Sequence, residues 1–323
     1  MKKALIVGIN EYPFGELRCS VNDARIVAGL LSRNSDNSKN FDVKLVLDSD
    51  ATKANILEQL KELFTDETIE TALFYFSGHG FENDLDGSIV AIDATNNDPG
   101  VRMTDILYFV SKSKSKNKII ILDCCYSGKF GNPGMIGDTS LLPAGTIILT
   151  ASGQRQVAFE VNGHGVFTNL LIEALNGGAS DIMGRVTPGN VYSYIDQALS
   201  NWEQRPLFKT NVSRFIVLRQ NEEKIKGDVI RKITNIFTNK ECEYNLNPSF
   251  EPTNIKNGIH YNLEPYSDTE NNAIFSILQK YNRHGLVIPI GAQHMYDAAM
   301  ESKSCKLTPL GQHYWNLVDK DLI

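Results

Sequence analysis

Up to about residue 220, short apolar runs alternate with stretches in which apolar positions recur every three or four residues. The runs at residues 4–9, 43–47, 72–76, 119–122 and 146–149 are rich in Ile, Val, Leu and Phe. They are mostly apolar on both faces, which predicts strands of a parallel sheet covered on both sides. The amphipathic stretches 21–31, 53–64 and 104–110 predict helices, and the alternation predicts right-handed crossovers that sandwich the sheet. Residues 166–175 predict a helix stopped at Gly177-Gly178. Thr187-Pro188 supplies a cap and an N1 proline for a helix running to about Trp202. A last strand over about 214–218 is expected to close the domain. The fold class is therefore α/β.

A polar stretch at 221–226 reads as a boundary, giving a domain at 1–220 and a module at 221–323. Residues 239–268, rich in Asn, Pro, Glu and Thr, predict loops. Helical periodicity returns at 273–281, 293–300 and 310–318, with a short strand and turn at 305–309. This is a small α-rich module whose order of elements hints at a winged-helix-like arrangement. It carries 11 basic and 13 acidic residues, whereas a DNA-reading wing is normally basic. A regulatory protein partner is the better expectation for it.

Composition sharpens the picture in three ways. Hydrophobic residues are 42% and charged residues 22%, ordinary for a globular protein, and no apolar run approaches bilayer length. Lys2 and Lys3 precede an apolar stretch too short for a signal peptide and without a small-residue cleavage site, so a cytoplasmic protein with no membrane association is expected. The net charge of −6 argues against nucleic acid as a partner. The five cysteines, Cys19, Cys124, Cys125, Cys242 and Cys305, show neither disulfide rhythm nor a zinc pair. A single reactive thiol becomes the candidate chemistry.

Two strand-to-loop junctions carry that chemistry. Phe74-Tyr75-Phe76 runs into Ser77-Gly78-His79-Gly80, and Ile119-Ile120-Ile121-Leu122 runs into Asp123-Cys124-Cys125-Tyr126-Ser127-Gly128. Sites in open α/β sheets form at the carboxyl ends of strands, so neighbouring strands would put His79 and Cys125 in one crevice. The glycines beside His79 permit a sharp turn and close approach of substrate. A thiol, an imidazole and the backbone N–H groups of Gly80 and Cys125 as an oxyanion hole meet the needs of acyl transfer. No third orienting side chain is obvious, which leaves a backbone carbonyl to hold His79.

These paired motifs resemble the SGHG and D-x-C-x-S-G motifs of the metacaspases and prokaryotic caspase-like peptidases. His79 lies 46 residues before Cys125, and about 50 separate the two in caspases. The likeness extends to Ala4-Leu5-Ile6-Val7-Gly8-Ile9-Asn10, residues 17–24, Thr150-Ala151-Ser152, Gly165-Val166-Phe167-Thr168 and Leu207-Phe208-Lys209-Thr210-Asn211, covering about residues 1–219. The resemblance implies a caspase-like, mainly parallel six-stranded sheet flanked by helices. It also implies a cysteine endopeptidase acting on protein substrates through a Cys-His dyad and an acyl-enzyme, with Cys125 rather than Cys124 as nucleophile. Cys124 then reads as a small buried hydrophobe.

By the same resemblance, Ser20, Asp23, Ser77 and Asp123 fall where metacaspases build an acidic S1 pocket, implying cleavage after Arg or Lys. Arg18 is the competing signal, because caspases that cleave after Asp use an arginine nearby. The resemblance admits calcium as well, since Asp93 and Asp105 fall near positions like the metal ligands of that family. Asn132 stands where a further acid is expected, so the acidic residues between Glu82 and Asp105 read as a solvated loop and no cofactor is required. Lys129, in a Gly- and Pro-rich loop, is a candidate self-cleavage site under basic specificity. Gly163-His164-Gly165 repeats the Gly-His-Gly pattern but reads as a turn, and His260, His284, His294 and His313 share no metal spacing. Family analogy suggests an antiviral defence or cell-death setting. The alternatives are a catalytically silent scaffold, an acidic P1 preference, and a related peptidase cleaving after Asn.

Overall fold

All five of the predicted apolar runs are strands of one sheet. The structure is a computed structural model of the chain and describes residues 1–82, 86–124, 142–151, 160–161, 164–199, 206–257 and 263–323. The chain folds as two compact units, Met1–Glu222 and Glu223–Ile323. No helix among the described residues is long and apolar enough to cross a membrane.

The first unit runs β1 (Lys2–Gly8), α1 (Ser20–Ser32), β2 (Asp42–Leu47), α2 (Lys53–Thr65) and β3 (Thr71–Ser77). An antiparallel sheet of β4 (Gly80–Glu82), β5 (Gly87–Thr95) and β6 (Asp98–Arg102) follows, then α3 (Met103–Lys112), β7 (Asn117–Asp123) and β8 (Thr146–Thr150). After these come β9 (Glu160–Val161), β10 (His164–Gly165), α4 (Val166–Glu173), β11 (Arg185–Val186), α5 (Pro188–Ala198), β12 (Leu207–Asn211) and β13 (Arg219–Gln220). The main sheet has the order β12-β8-β7-β3-β1-β2, parallel except for β12. Alternation along each strand sends side chains to two layers. Val7, Phe74, Phe76, Ile120 and Leu122 pack with Leu60 of α2 and Ile106 of α3. Ile6, Leu73, Tyr75, Ile119 and Ile121 pack with Val27, Leu171 and Ile195 from α1, α4 and α5.

Four readings are corrected. The closing strand is Leu207–Asn211, antiparallel to β8, and residues 214–218 form no strand of the main sheet. An edge strand needs an apolar side on one face only, which Leu207-Phe208 and the polar Lys209-Thr210-Asn211 satisfy. The acidic stretch between Glu82 and Asp105, of which Asp84 lies outside the described residues, is a three-stranded sheet leading into α3 rather than a loop, because Ile89-Val90-Ala91 is a buried apolar run within it. The helix expected to reach Trp202 ends at Ala198, where Leu199 turns extended at φ −86° and ψ 129°. His164–Gly165, read as a turn, is a short strand paired antiparallel with Glu160–Val161.

Other local signals hold. Thr187 Oγ1 accepts the Asn190 N–H at 3.3 Å, with Pro188 opening α5. The helical path that follows α4 closes at Gly177, whose φ of 113° is the left-handed region that a side chain resists.

The second unit contains α6 (Gly227–Ile230), α7 (Ile233–Ile236), β14 (Glu243–Asn245), α8 (Thr269–Arg283), β15 (Val287–Ile290), α9 (Met295–Met300), β16 (Ser304–Leu307) and α10 (Pro309–Asp319). The strands form an antiparallel sheet, β14-β16-β15, of which the periodicity predicted only β16. Helix α8 buries Phe275, Leu278 and Tyr281, spaced along one face, and Tyr281 donates its hydroxyl hydrogen to the Val229 carbonyl at 2.6 Å. Trp315 Nε1 donates to the Phe237 carbonyl at 2.8 Å.

Candidate active site

Strands β3 and β7 are adjacent and parallel, and their last residues, Ser77 and Asp123, are register partners. Hydrogen bonding continues past that pair, with the Gly78 N–H donating to the Asp123 carbonyl at 3.3 Å. The chain therefore leaves both strands at the same level of the sheet, two residues before His79 on one side and two before Cys125 on the other. Cys125, Lys129 and Asn132 lie outside the described residues. Cys124 is buried in the α2/α3 layer, in line with its reading as a small hydrophobe.

His79 is held from three directions. Its N–H donates to the Tyr12 hydroxyl at 3.1 Å, and its carbonyl accepts the Val90 N–H at 2.9 Å. Its ring Nε2 lies 2.7 Å from the Gly15 carbonyl oxygen. A carbonyl only accepts, so Nε2 carries the hydrogen in the neutral ring and Nδ1 is the nitrogen with the free lone pair. This is the backbone orienter that the absence of a third side chain implied.

The loop bearing Gly15 is itself anchored. Asp48 Oδ1 accepts the N–H groups of Asn10 and Glu11 at 2.7 and 3.1 Å, and Asn10 Oδ1 accepts the Val21 N–H at 3.2 Å. Tyr12 joins this loop to β5 by donating its hydroxyl hydrogen to the Val90 carbonyl at 3.0 Å. Burial pushes the Tyr12 phenol well above its ordinary pKa, so it remains a donor. The Tyr12 and His79 rings pack with centroids 4.7 Å apart.

Tyr12 and Gly15 were missed in the sequence, where 11–16 is an undistinguished Pro- and Gly-containing loop. Tyr12→Phe strands the buried Val90 carbonyl and the His79 N–H, which costs about 1–3 kcal/mol. An unchanged urea midpoint for the substituted chain contradicts this role.

On the other layer, the four residues assigned to an acidic pocket come together. Ser20 opens α1, Asp23 lies in its first turn, and Ser77 and Asp123 end β3 and β7; all four are buried, Asp23 at 1% and Asp123 at 6% exposure. Gly165 shows how close the two carboxylates lie. A Cβ on it would stand 2.6 Å from Asp123 Oδ2 and 3.6 Å from Asp23 Oδ2. Its N–H donates to Asp23 Oδ2 at 3.1 Å, and Thr168 Oγ1 donates to Asp123 Oδ2 at 2.6 Å. Tyr75, fully buried beneath, has its pKa raised first by burial and then by the charges of Asp123 and Asp23. Gly165 and Thr168 were also missed as parts of this buried group, although the stretch Gly165–Thr168 stood out in the sequence. Arg18 is exposed, outside this buried group.

The two calcium candidates are engaged elsewhere. Asp93 Oδ1 accepts the Lys53 N–H at 2.8 Å at the start of α2, and Asp105 pairs with Arg102 through two contacts of 3.0 and 2.8 Å. Among the described residues, no group of three His, Cys, Asp or Glu side chains gathers to hold a metal.

The Peptidase_C14 caspase-domain family matches residues 1–215. No curated protein matches the chain. Among solved structures, protein GSU0716 from Geobacter sulfurreducens is similar with a TM-score of 0.50 at 14% identity, over 68% of this chain and 97% of that one. Caspase-1 from Spodoptera frugiperda gives 0.49 at 14% identity, over 68% of this chain and 90% of its own. At such identities the likeness concerns the fold alone.

Proposed function

Because this chain belongs to the caspase-domain peptidase family, we propose that it is a cysteine endopeptidase cleaving protein substrates after Arg or Lys, with Cys125 as nucleophile and His79 as proton carrier. The observation that supports this reading is the β3–β7 register, in which the two strands that lead into the motifs end in step, at Ser77 and Asp123.

In this mechanism the Cys125 thiolate attacks the scissile carbonyl, and the N–H groups of Gly80 and Cys125 stabilise the oxyanion. His79 Nδ1 hands its proton to the departing amine, which leaves a thioester at Cys125. Water then attacks that thioester, His79 takes up a proton from it, and the acid is released. The Gly15 carbonyl keeps the imidazole in the tautomer this requires.

Basic specificity is supported by Asp23 and Asp123, two buried carboxylates on one side of the strand ends. A guanidinium there meets opposite charge in a low-dielectric site, where charge-assisted hydrogen bonds are strong. An aspartate P1 would meet repulsion instead, and Arg18 stands exposed.

A peptide series differing only at P1 tests the reading. Arg and Lys are expected to exceed Asp, Asn and Leu in kcat/KM by about a hundredfold, the value of two good charged contacts. Turnover of Asp peptides without Arg or Lys turnover removes the specificity, and no turnover at any P1 favours a silent scaffold. Since Asp93 and Asp105 already have protein partners, the initial rate is expected to be the same in EGTA as in added calcium. A rate that rises with calcium refutes this.

A further inference from the structure

One cavity at the site takes no part in the scheme above. It has a volume of about 410 Å³ and lies against His79, with Phe14, Phe81, Val90, Ala94 and Pro99 among its walls. Phe14 and Phe81 stand 59% and 43% exposed at its rim, an apolar surface that solvent disfavours unless a ligand covers it. Among the described residues lining it, His79 is the only titratable one.

We propose that this cavity is the subsite for the residue following the scissile bond, and that it selects a large aliphatic or aromatic side chain there. The inference rests on the peptidase reading and deepens it. If His79 protonates the leaving amine, its ring stands on the side of the scissile bond from which the new N-terminus departs. A cavity walled by that ring is on the same side.

The acidic group lies in the opposite layer. Asp123 is bonded to Thr168 of α4, and Asp23 belongs to α1. Val90 and Ala94 belong instead to the layer of α2 and α3. A peptide crossing the ends of β3 and β7 thus sends its basic P1 side chain into one layer and the next side chain into the other. The walls are mainly apolar and, beside His79, Thr95 and Asn96 bring only neutral polar side chains, so a charged P1′ residue would lose hydration without meeting a carboxylate or an ammonium, whereas burying Leu or Phe is favourable.

The test is a set of Arg-X peptides with X as Leu, Phe, Gly, Asp or Lys, together with a parallel set varied at P2. Leu and Phe at P1′ are expected to exceed Gly in kcat/KM by about 10- to 100-fold, the value of burying such a side chain, with Asp and Lys below Gly. Filling the cavity with Ala94→Phe, or removing its exposed wall with Phe81→Ser, should bring the Leu-to-Gly ratio towards unity. Equal rates for Leu and Gly overturn the subsite while leaving the peptidase reading intact. So does a ratio that Ala94→Phe and Phe81→Ser alter at P2 but not at P1′. No cleavage of any Arg-X peptide overturns the reading of a peptidase that cleaves after Arg, and this inference with it.

Discussion

Replacing Cys125 by alanine is expected to abolish cleavage of Arg and Lys peptides, and His79→Ala to lower kcat by about 10²- to 10⁴-fold. The nucleophile forms the bond that breaks the amide, so nothing else in the site substitutes for it. The imidazole both promotes the thiolate and protonates the leaving group, and without it the amine must depart as a poor leaving group. The two act as a unit, so the double variant should be no slower than Cys125→Ala alone. Each variant is read by kcat on an Arg peptide, with circular dichroism confirming an intact fold. Residual cleavage by Cys125→Ala within tenfold of the parent, by about the measure of a lost peripheral contact, transfers the chemistry to another residue.

The second large effect concerns the acidic pocket. Asp123→Asn is expected to reduce kcat/KM on Arg peptides by about 10- to 100-fold, because an amide there leaves Asp23 alone to oppose the charge of the desolvated substrate guanidinium. The substitution keeps an oxygen to accept the Thr168 hydroxyl hydrogen, now 2.6 Å from Asp123 Oδ2, so stability should change little. Asp23→Asn keeps an acceptor for the Gly165 N–H in the same way and should also lose Arg turnover. Retained Arg cleavage in both, or an equal loss on a Leu P1 peptide, removes the electrostatic account. The Leu comparison matters because a purely structural lesion slows every substrate alike.

Of the fold, the main sheet was written most clearly in the chain. Runs such as 119–122 are apolar on both faces because both faces are covered, and such a run has few alternatives to a buried strand. The Thr187-Pro188 cap was equally legible, because a side chain accepting an N–H three residues on is a local event. The sheet formed by β4, β5 and β6 was hidden by the acidic residues in its strands, Glu82, Asp93 and Asp98, which break up the apolar pattern. The closing strand was displaced because 207–211 mixes apolar and polar residues, as an edge strand does, while 214–218 looks more strand-like locally.

The candidate site divides along the same line. His79, Cys125 and Asp123 stand in short motifs after strand-like runs, so the first two could be proposed from the chain, while Asp123 and Asp23, the latter in the first turn of α1, were proposed through the family resemblance. Their supports could not, since the Gly15 carbonyl, the Tyr12 hydroxyl and the Gly165 N–H act through groups that nearly every residue or many loops possess. Gly15 lies 64 residues from His79 and Gly165 142 from Asp23. By itself, then, the sequence determined a covered parallel sheet and the chemical groups at its edge. The tertiary structure alone decided which carbonyl sets the histidine tautomer, how closely the carboxylates converge and that an apolar cavity adjoins the imidazole. Periodicity and motif are properties of neighbours along the chain, whereas those three features depend on contacts made only when distant segments pack together.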